Sequence, residues 1–135
     1  MTVADYLAFE ETSAVKHEFV GGEIHAMSGG SLVHNKISGN IYASLRAALR
    51  GGPCQVFMAD VKVRLDVARD EFFYYPDVVV SCHPTGTETH FLRFPTVVFE
   101  VLSPTEAIDR REKHSNYRRA QTLEEYVLVA QDRAK

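Results

Sequence analysis

The chain has 135 residues, 45% apolar and 24% charged, with a net charge of −3. That is enough for one self-supporting domain, so neither a metal nor a disulfide is needed simply to fold. The near-neutral balance argues against a protein that coats nucleic acid by bulk charge. No stretch approaches the roughly 18 uninterrupted apolar residues of a membrane span. The opening MTVADYLAFEE also lacks the basic start and apolar run of a signal peptide. The expected compartment is the cytoplasm. The two cysteines, Cys54 and Cys82, form no CxxC pair and are expected as free, buried, apolar side chains.

Thr2 is an N-cap candidate, and Asp5 favours the first turn of a helix over about Val3 to Glu11. Lys16 to Val20 and Glu23 to Met27 flank Gly21-Gly22, a pair that permits positive φ at a hairpin turn. The glycine-rich bend from Ser28 to Ser31 lacks the Gly-Lys-Ser/Thr ending of a phosphate loop. From Leu32 to Arg50 the apolar Ile37, Ile41, Leu45, Ala48 and Leu49 fall at helical spacing. They leave Asn35, Ser38, Arg46 and Arg50 for an outer face, and Gly51-Gly52-Pro53 stops the helix.

A strand begins at Cys54 to Phe57. Val61, Val63 and Leu65 alternate with Asp60, Lys62, Arg64 and Asp66, the pattern of a half-exposed strand. Val67 to Glu71 is expected as a turn. Asp77 to Ser81 and Thr96 to Leu102 are nearly continuous apolar runs, as in strands covered on both faces. His83 to Arg93 between them has the composition of a surface loop. A last helix, Thr105 to Ala120, precedes a final strand at Tyr126 to Val129. The order of elements predicts one α/β (α+β) domain over residues 1–135, a mixed sheet flanked by helices.

Glu100 is the most informative residue. It interrupts TVVFEVL, and a buried carboxylate without a partner costs several kcal/mol or takes up a proton. It is therefore either a structural ion pair or a metal ligand or general acid/base. Asp77 opens the other central run behind Pro76, where aspartate often only marks strand entry. Paired on neighbouring strands, the two carboxylates would make a hard-oxygen site for Mg²⁺ or Mn²⁺.

A lysine could offset charge on a phosphate. Lys113 lies in the last helix, four residues after Asp109, so an i,i+4 ion pair is its ordinary role. Lys62 is otherwise an exposed strand lysine. The last helix holds Arg110, Arg111, Lys113, Arg118 and Arg119 against Glu106, Asp109 and Glu112. Arg110, Arg111 and Arg118 are thus candidate phosphate contacts, or members of a solubilising face. His34, at the start of the second helix, either belongs to the cap region or faces a site. No zinc spacing, HExxH or GxSxG is present.

The segments KHEFVGGEIHAMSGG, HNKISGNIYASL, YYPDVVVSC and FEVLSPTEAIDRREKHSNYRRAQTLEEYVLV, in this order, resemble the Uma-type restriction endonuclease family. The resemblance covers Thr2 to about Asp132. It implies a PD-(D/E)XK-like core with a divalent metal at Asp77 and Glu100, acting on DNA. Pro76-Asp77 matches the PD half of the motif. The second half departs from it, because Leu102 stands where the lysine belongs, and the resemblance points to Lys113 instead. It also marks Glu18 and His34 as accessory positions. Family members continue past the strand ending at Val129, so a C-terminal segment is expected to be lacking here.

The expected activity is Mg²⁺-dependent DNA hydrolysis, with a homodimer expected because duplex cleavage needs two sites. The alternatives are a catalytically inert nuclease fold with a binding or regulatory role, a metal-free hydrolase using the carboxylates as an acid/base pair, and a purely structural origin for both carboxylates.

Overall fold

The computed structural model describes residues 1–27, 29–83, 90–102 and 109–131, with the side chains of residues 109–111 excepted. Helix α1 (Val3–Thr12) starts where expected, with the Thr2 hydroxyl accepting from the Asp5 N–H. Strands β1 (His17–Val20) and β2 (Glu23–Ala26) pair antiparallel around Gly21 and Gly22, whose φ values of 55° and 98° only glycine adopts without strain. Helix α2 (Leu32–Ala48) follows, capped by the Ser31 hydroxyl, and then β3 (Gln55–Met58), β4 (Lys62–Val67), β5 (Asp70–Tyr74) and β6 (Val78–Ser81). The remainder is the two-residue β7 (Phe91–Leu92), β8 (Val97–Leu102), α3 (Asp109–Arg118) and β9 (Glu125–Ala130).

These strands form two sheets rather than one, ordered β2-β1-β5-β4-β7 and β3-β6-β8-β9. Both are mixed, with parallel pairs at β4–β7 and β8–β9. The main core lies where the sheets and α3 meet: Val63 and Leu65 from β4, Phe72 and Tyr74 from β5, Val79 from β6, Val98 from β8 and Tyr117 from α3. Phe73, between Phe72 and Tyr74, points to the other face, where it packs with Phe19 and with Tyr6 of α1. Period-two alternation thus gives β5 an aromatic residue for each layer. Truncating Phe73 to alanine would cost about 3–5 kcal/mol. Among the described residues no helix is long and apolar enough to cross a membrane.

Several sequence expectations give way. The turn placed at Val67 to Glu71 is only Ala68-Arg69, and β5 was missed. Ala68 turns the chain at φ 56°, a conformation that an alanine does not advertise. The loop from His83 to Arg93 ends in β7, while residues 84–89 lie outside the described part. So do residues 105–108, the expected first turn of the last helix.

Ser38, assigned to the outer face of α2, is buried, and Ala48, assigned inward, is exposed. The inward face is centred on Ser38, Ile41 and Leu45, and the Ser38 hydroxyl satisfies itself by donating to the His34 carbonyl. Finally, Cys54 and Cys82 are not free. They form a disulfide with Cα atoms 3.9 Å apart. The Gln55↔Ser81 register of β3 on β6 sets them opposite one another one step beyond the ladder.

Candidate active site

Asp77 enters β6 behind the fully buried Pro76, and the Val78↔Phe99 pairing of β6 with β8 sets Asp77 opposite Glu100 one residue on. The Asp77 carboxylate is held at both oxygens. Oδ2 accepts from the Val101 N–H at 2.6 Å, and Oδ1 lies 3.0 Å from His34 Nε2. His34 sits in the first turn of α2, so that helix delivers a side chain to the mouth of the central strands.

Glu100 is 7% exposed. It shares a face of β8 with Val98, and Val98 packs in the core with Tyr117. Its side therefore looks toward α3.

Lys113 comes from α3 and ion-pairs with Glu18 of β1, Nζ to Oε2 2.6 Å, while lying 5.5 Å from the centre of the Tyr74 ring. Both partners are mostly buried, which strengthens the pair relative to a surface contact. Tyr74 receives a hydrogen bond from Asn116 Nδ2 at 2.9 Å, and burial pushes its phenol up to about 12.

Tyr117, one turn after Lys113 on the same side of α3, is fully buried and its hydroxyl has no hydrogen-bond partner among the described residues. Burial raises its pKa most, followed by the negative charge of Glu100 and, further down, that of Glu18. Tyr117 itself packs in the core with Val98, which shares a face of β8 with Glu100.

The structure thus sets Asp77 and Glu100 opposite one another on the two middle strands of their sheet, with His34 on Asp77, and pairs Glu18 with Lys113. Lys62 goes elsewhere: its ammonium lies over the Tyr75 ring, 5.7 Å from the centre, next to Lys16 at 5.4 Å. The ordinary i,i+4 partner proposed for Lys113, Asp109, has its side chain outside the described part, as have Arg110 and Arg111. Arg118 is exposed, five residues past Lys113 and so about 140° around the helix from it.

Sequence reasoning missed Tyr117 and Asn116. The available signal for Tyr117 was its i+4 spacing from Lys113, which puts both on one helix face.

Chemically, Asp77, Glu100 and Glu18 supply hard oxygen donors, with a histidine on the first and a lysine on the last. Among the described residues no three His, Cys, Asp or Glu side chains form a complete ligand cage. Mg²⁺ does not require one, since it commonly takes one or two carboxylates and keeps several waters. Asp77, which is partly exposed, and its cross-strand neighbour Glu100 are the pair that could meet that demand.

The family model described as "Putative restriction endonuclease" (Uma2) matches residues 3–135. Two proteins of Synechocystis sp., each described as uncharacterized, are similar. One, slr1290, is 38% identical over 128 residues, covering 93% of this chain and 66% of its own length. The other, sll1609, is 34% identical over 135 residues, 97% of this chain and 75% of its own length. The chain therefore spans about two thirds to three quarters of these relatives. A crystal structure from Anabaena variabilis, described as "a putative nuclease belonging to DUF820", superposes with a TM-score of 0.77 at 16% identity, over 98% of this chain and 75% of the other. At that identity the likeness shows the fold, a restriction-endonuclease-like one.

Proposed function

Because the chain belongs to the Uma2 restriction endonuclease family, we propose that it is a Mg²⁺- or Mn²⁺-dependent endonuclease that hydrolyses DNA phosphodiester bonds, with Asp77, Glu100 and Lys113 as its catalytic residues. The observation that carries this reading is the cross-strand placement of Asp77 against Glu100, with Lys113, paired to Glu18, one turn before the Tyr117 that packs on the strand of Glu100. The lysine absent at position 102 is supplied from α3.

Asp77 and Glu100 would hold the cation, which when bound polarises a phosphate oxygen and lowers the pKa of a water. His34 and the Val101 N–H fix the rotamer of Asp77, so its position is set before any ligand arrives. Glu18 holds the Lys113 ammonium in place, where it offsets negative charge accumulating on the phosphoryl oxygens in the transition state. That charge develops only as the reaction proceeds, so the contribution appears in the rate rather than in ground-state affinity. A homodimer would offer one such site to each strand of a duplex.

The test is plasmid nicking with Mg²⁺ or Mn²⁺ by the wild type, Asp77→Ala and Glu100→Ala. Loss of nicking in both variants, and in wild type treated with EDTA, is expected. Equal nicking by all three proteins would remove the catalytic assignment. Metal-dependent DNA binding without any cleavage would favour a nuclease fold that acts as a binding protein.

A further inference from the structure

Tyr117 is fully buried, and its hydroxyl makes no hydrogen bond among the described residues. A phenylalanine would fill the same space without burying an unpaired polar atom. The ring itself is well packed. It stacks on Tyr126 with centroids 5.2 Å apart and tilts against Tyr74 at 5.4 Å. These contacts account for an aromatic side chain at this position and leave the oxygen unexplained.

Where that oxygen lies follows from the direction of the elements. β8 and β9 pair in parallel, and α3 lies between them in the chain. A crossover between parallel neighbours has to carry the chain back to the end at which the first strand began. α3 therefore starts near the end where β8 finishes, the end with Glu100, and runs away from it. Side chains on a helix lean toward its N-terminus. Tyr117, in the last turn of α3, packs with Val98 and Tyr126, which are register partners on β8 and β9. From that rung its hydroxyl leans toward the next rung on the same face, formed by Glu100 and Leu128. Lys113, one turn earlier in α3, keeps to the same side, with its ammonium 5.5 Å from the centre of the Tyr74 ring.

A phenol can donate one hydrogen bond, and a carboxylate is the strongest acceptor that a protein offers it. Tyr117 and Glu100 are not hydrogen-bonded in the structure. Carboxylates that bind a cation are themselves held by hydrogen bonds from neighbouring groups. We propose that Tyr117 is a positioning residue that acts through Glu100. When Asp77 and Glu100 take a divalent cation, the Tyr117 hydroxyl donates to the Glu100 oxygen turned away from the ion and fixes that carboxylate in place. Asp77 is held beforehand by His34 and the Val101 N–H, whereas Glu100 gains its tyrosine on loading. The proposal rests on the metal-holding role given above to Asp77 and Glu100 and adds a residue that acts on it.

The experiment titrates Mg²⁺ into the protein and follows the near-UV difference spectrum, because a phenol that begins to donate a hydrogen bond absorbs further to the red. The wild type is expected to show this tyrosine shift, saturating with the cation. Tyr117→Phe should lose it, and Tyr74→Phe should keep it, since Tyr74 already has its partner in Asn116. Mn²⁺ affinity, measured by calorimetry, should fall about tenfold in Tyr117→Phe. Its urea midpoint in EDTA should stay level or rise. Its nicking should be impaired at limiting Mn²⁺ and largely return at saturating Mn²⁺.

If Tyr117→Phe keeps the spectral shift, the Mn²⁺ affinity and the nicking of the wild type while Asp77→Ala loses them, the positioning role is wrong and the nuclease reading stands. If Tyr117→Phe is less stable than the wild type in EDTA, the hydroxyl already has a partner in the fold, and the proposal fails. A wild type that shows the shift and binds Mn²⁺ without nicking DNA removes the nuclease reading and leaves this one. A wild type that neither binds Mn²⁺ nor nicks DNA removes both.

Discussion

Two carboxylate clusters in this molecule are built alike and end differently. In one, Glu10 of α1 accepts from the His17 N–H and from the Tyr75 hydroxyl, each at 2.6 Å, and its second oxygen faces His17 Nδ1 at 3.0 Å. The neighbouring Tyr6 hydroxyl donates to the His17 carbonyl at 2.6 Å. Donors and acceptors match, and the group ties α1 to β1 and to the end of β5.

In the other, Lys113 pairs with Glu18, His34 and the Val101 N–H hold Asp77, and the buried Tyr117 hydroxyl makes no hydrogen bond among the described residues. Burial alone does not distinguish the two clusters, because Glu10 and Glu100 are almost equally hidden. The kind of partner does, since the second cluster is served by a lysine from α3 and a histidine from α2.

The largest expected effect sets the clusters directly against each other. Glu100→Ala should cut plasmid nicking by about a thousandfold, near the upper range for losing one preorganised electrostatic group. Its urea midpoint should change far less than its activity, since a carboxylate kept for function contributes more to the chemistry than to the fold. Glu10→Ala should do the reverse. It leaves the Tyr75 hydroxyl and the His17 N–H without their charged acceptor, at a cost of about 2–4 kcal/mol in urea denaturation, while nicking per folded molecule is retained. Matching stability losses in both variants would erase the distinction.

Alkaline titration separates the clusters by their tyrosines. Burial raises Tyr74, on the Lys113 side, to about 12; it raises Tyr75, on the Glu10 side, further, with its hydrogen bond to Glu10 adding to the effect. Each phenol stays protonated in the folded protein above the pH at which it ionises in the unfolded chain. The unfolded state therefore binds fewer protons, and stability falls as pH rises from about 10 toward the folded values. Tyr74→Phe should remove the lower step in tyrosinate absorbance accompanying loss of structure, whereas Tyr75→Phe should leave it.

Smallest is Tyr117→Phe. Deleting an unpartnered buried hydroxyl should stabilise the fold by about 1 kcal/mol, read as an upward shift in thermal midpoint. A drop in stability would mean that the hydroxyl has a partner after all.

What could be read from the chain was what breaks a local pattern. Glu100 stands out because it interrupts an apolar strand, and Asp77 because it follows proline at the head of another. The helices α1 and α2 and the first hairpin follow from caps, spacing and the Gly21-Gly22 turn.

The rest depends on long-range register. Nothing near Glu18 says that a lysine 95 positions later will reach it, and Glu10 looks like any polar residue of a surface helix. The aromatic strand β5 hid behind Asp70-Glu71, whose charges suggested that the preceding turn continued. The meeting of Cys54 and Cys82 is a property of how β3 lies on β6, and spacing along the chain cannot reveal it.

That bond closes a covalent ring over residues 54–82 that includes β3 to β6 and Asp77, while Glu18, His34, Glu100 and Lys113 stand outside it. The exposed Ala68-Arg69 turn lies within the ring. A protease that cuts after Arg69 therefore opens the ring without releasing a fragment. Asp77 remains linked to the N-terminal piece through sulfur as well as through its contact with His34. A nick that would split an uncrosslinked chain between His34 and Asp77 leaves this one a single covalent molecule.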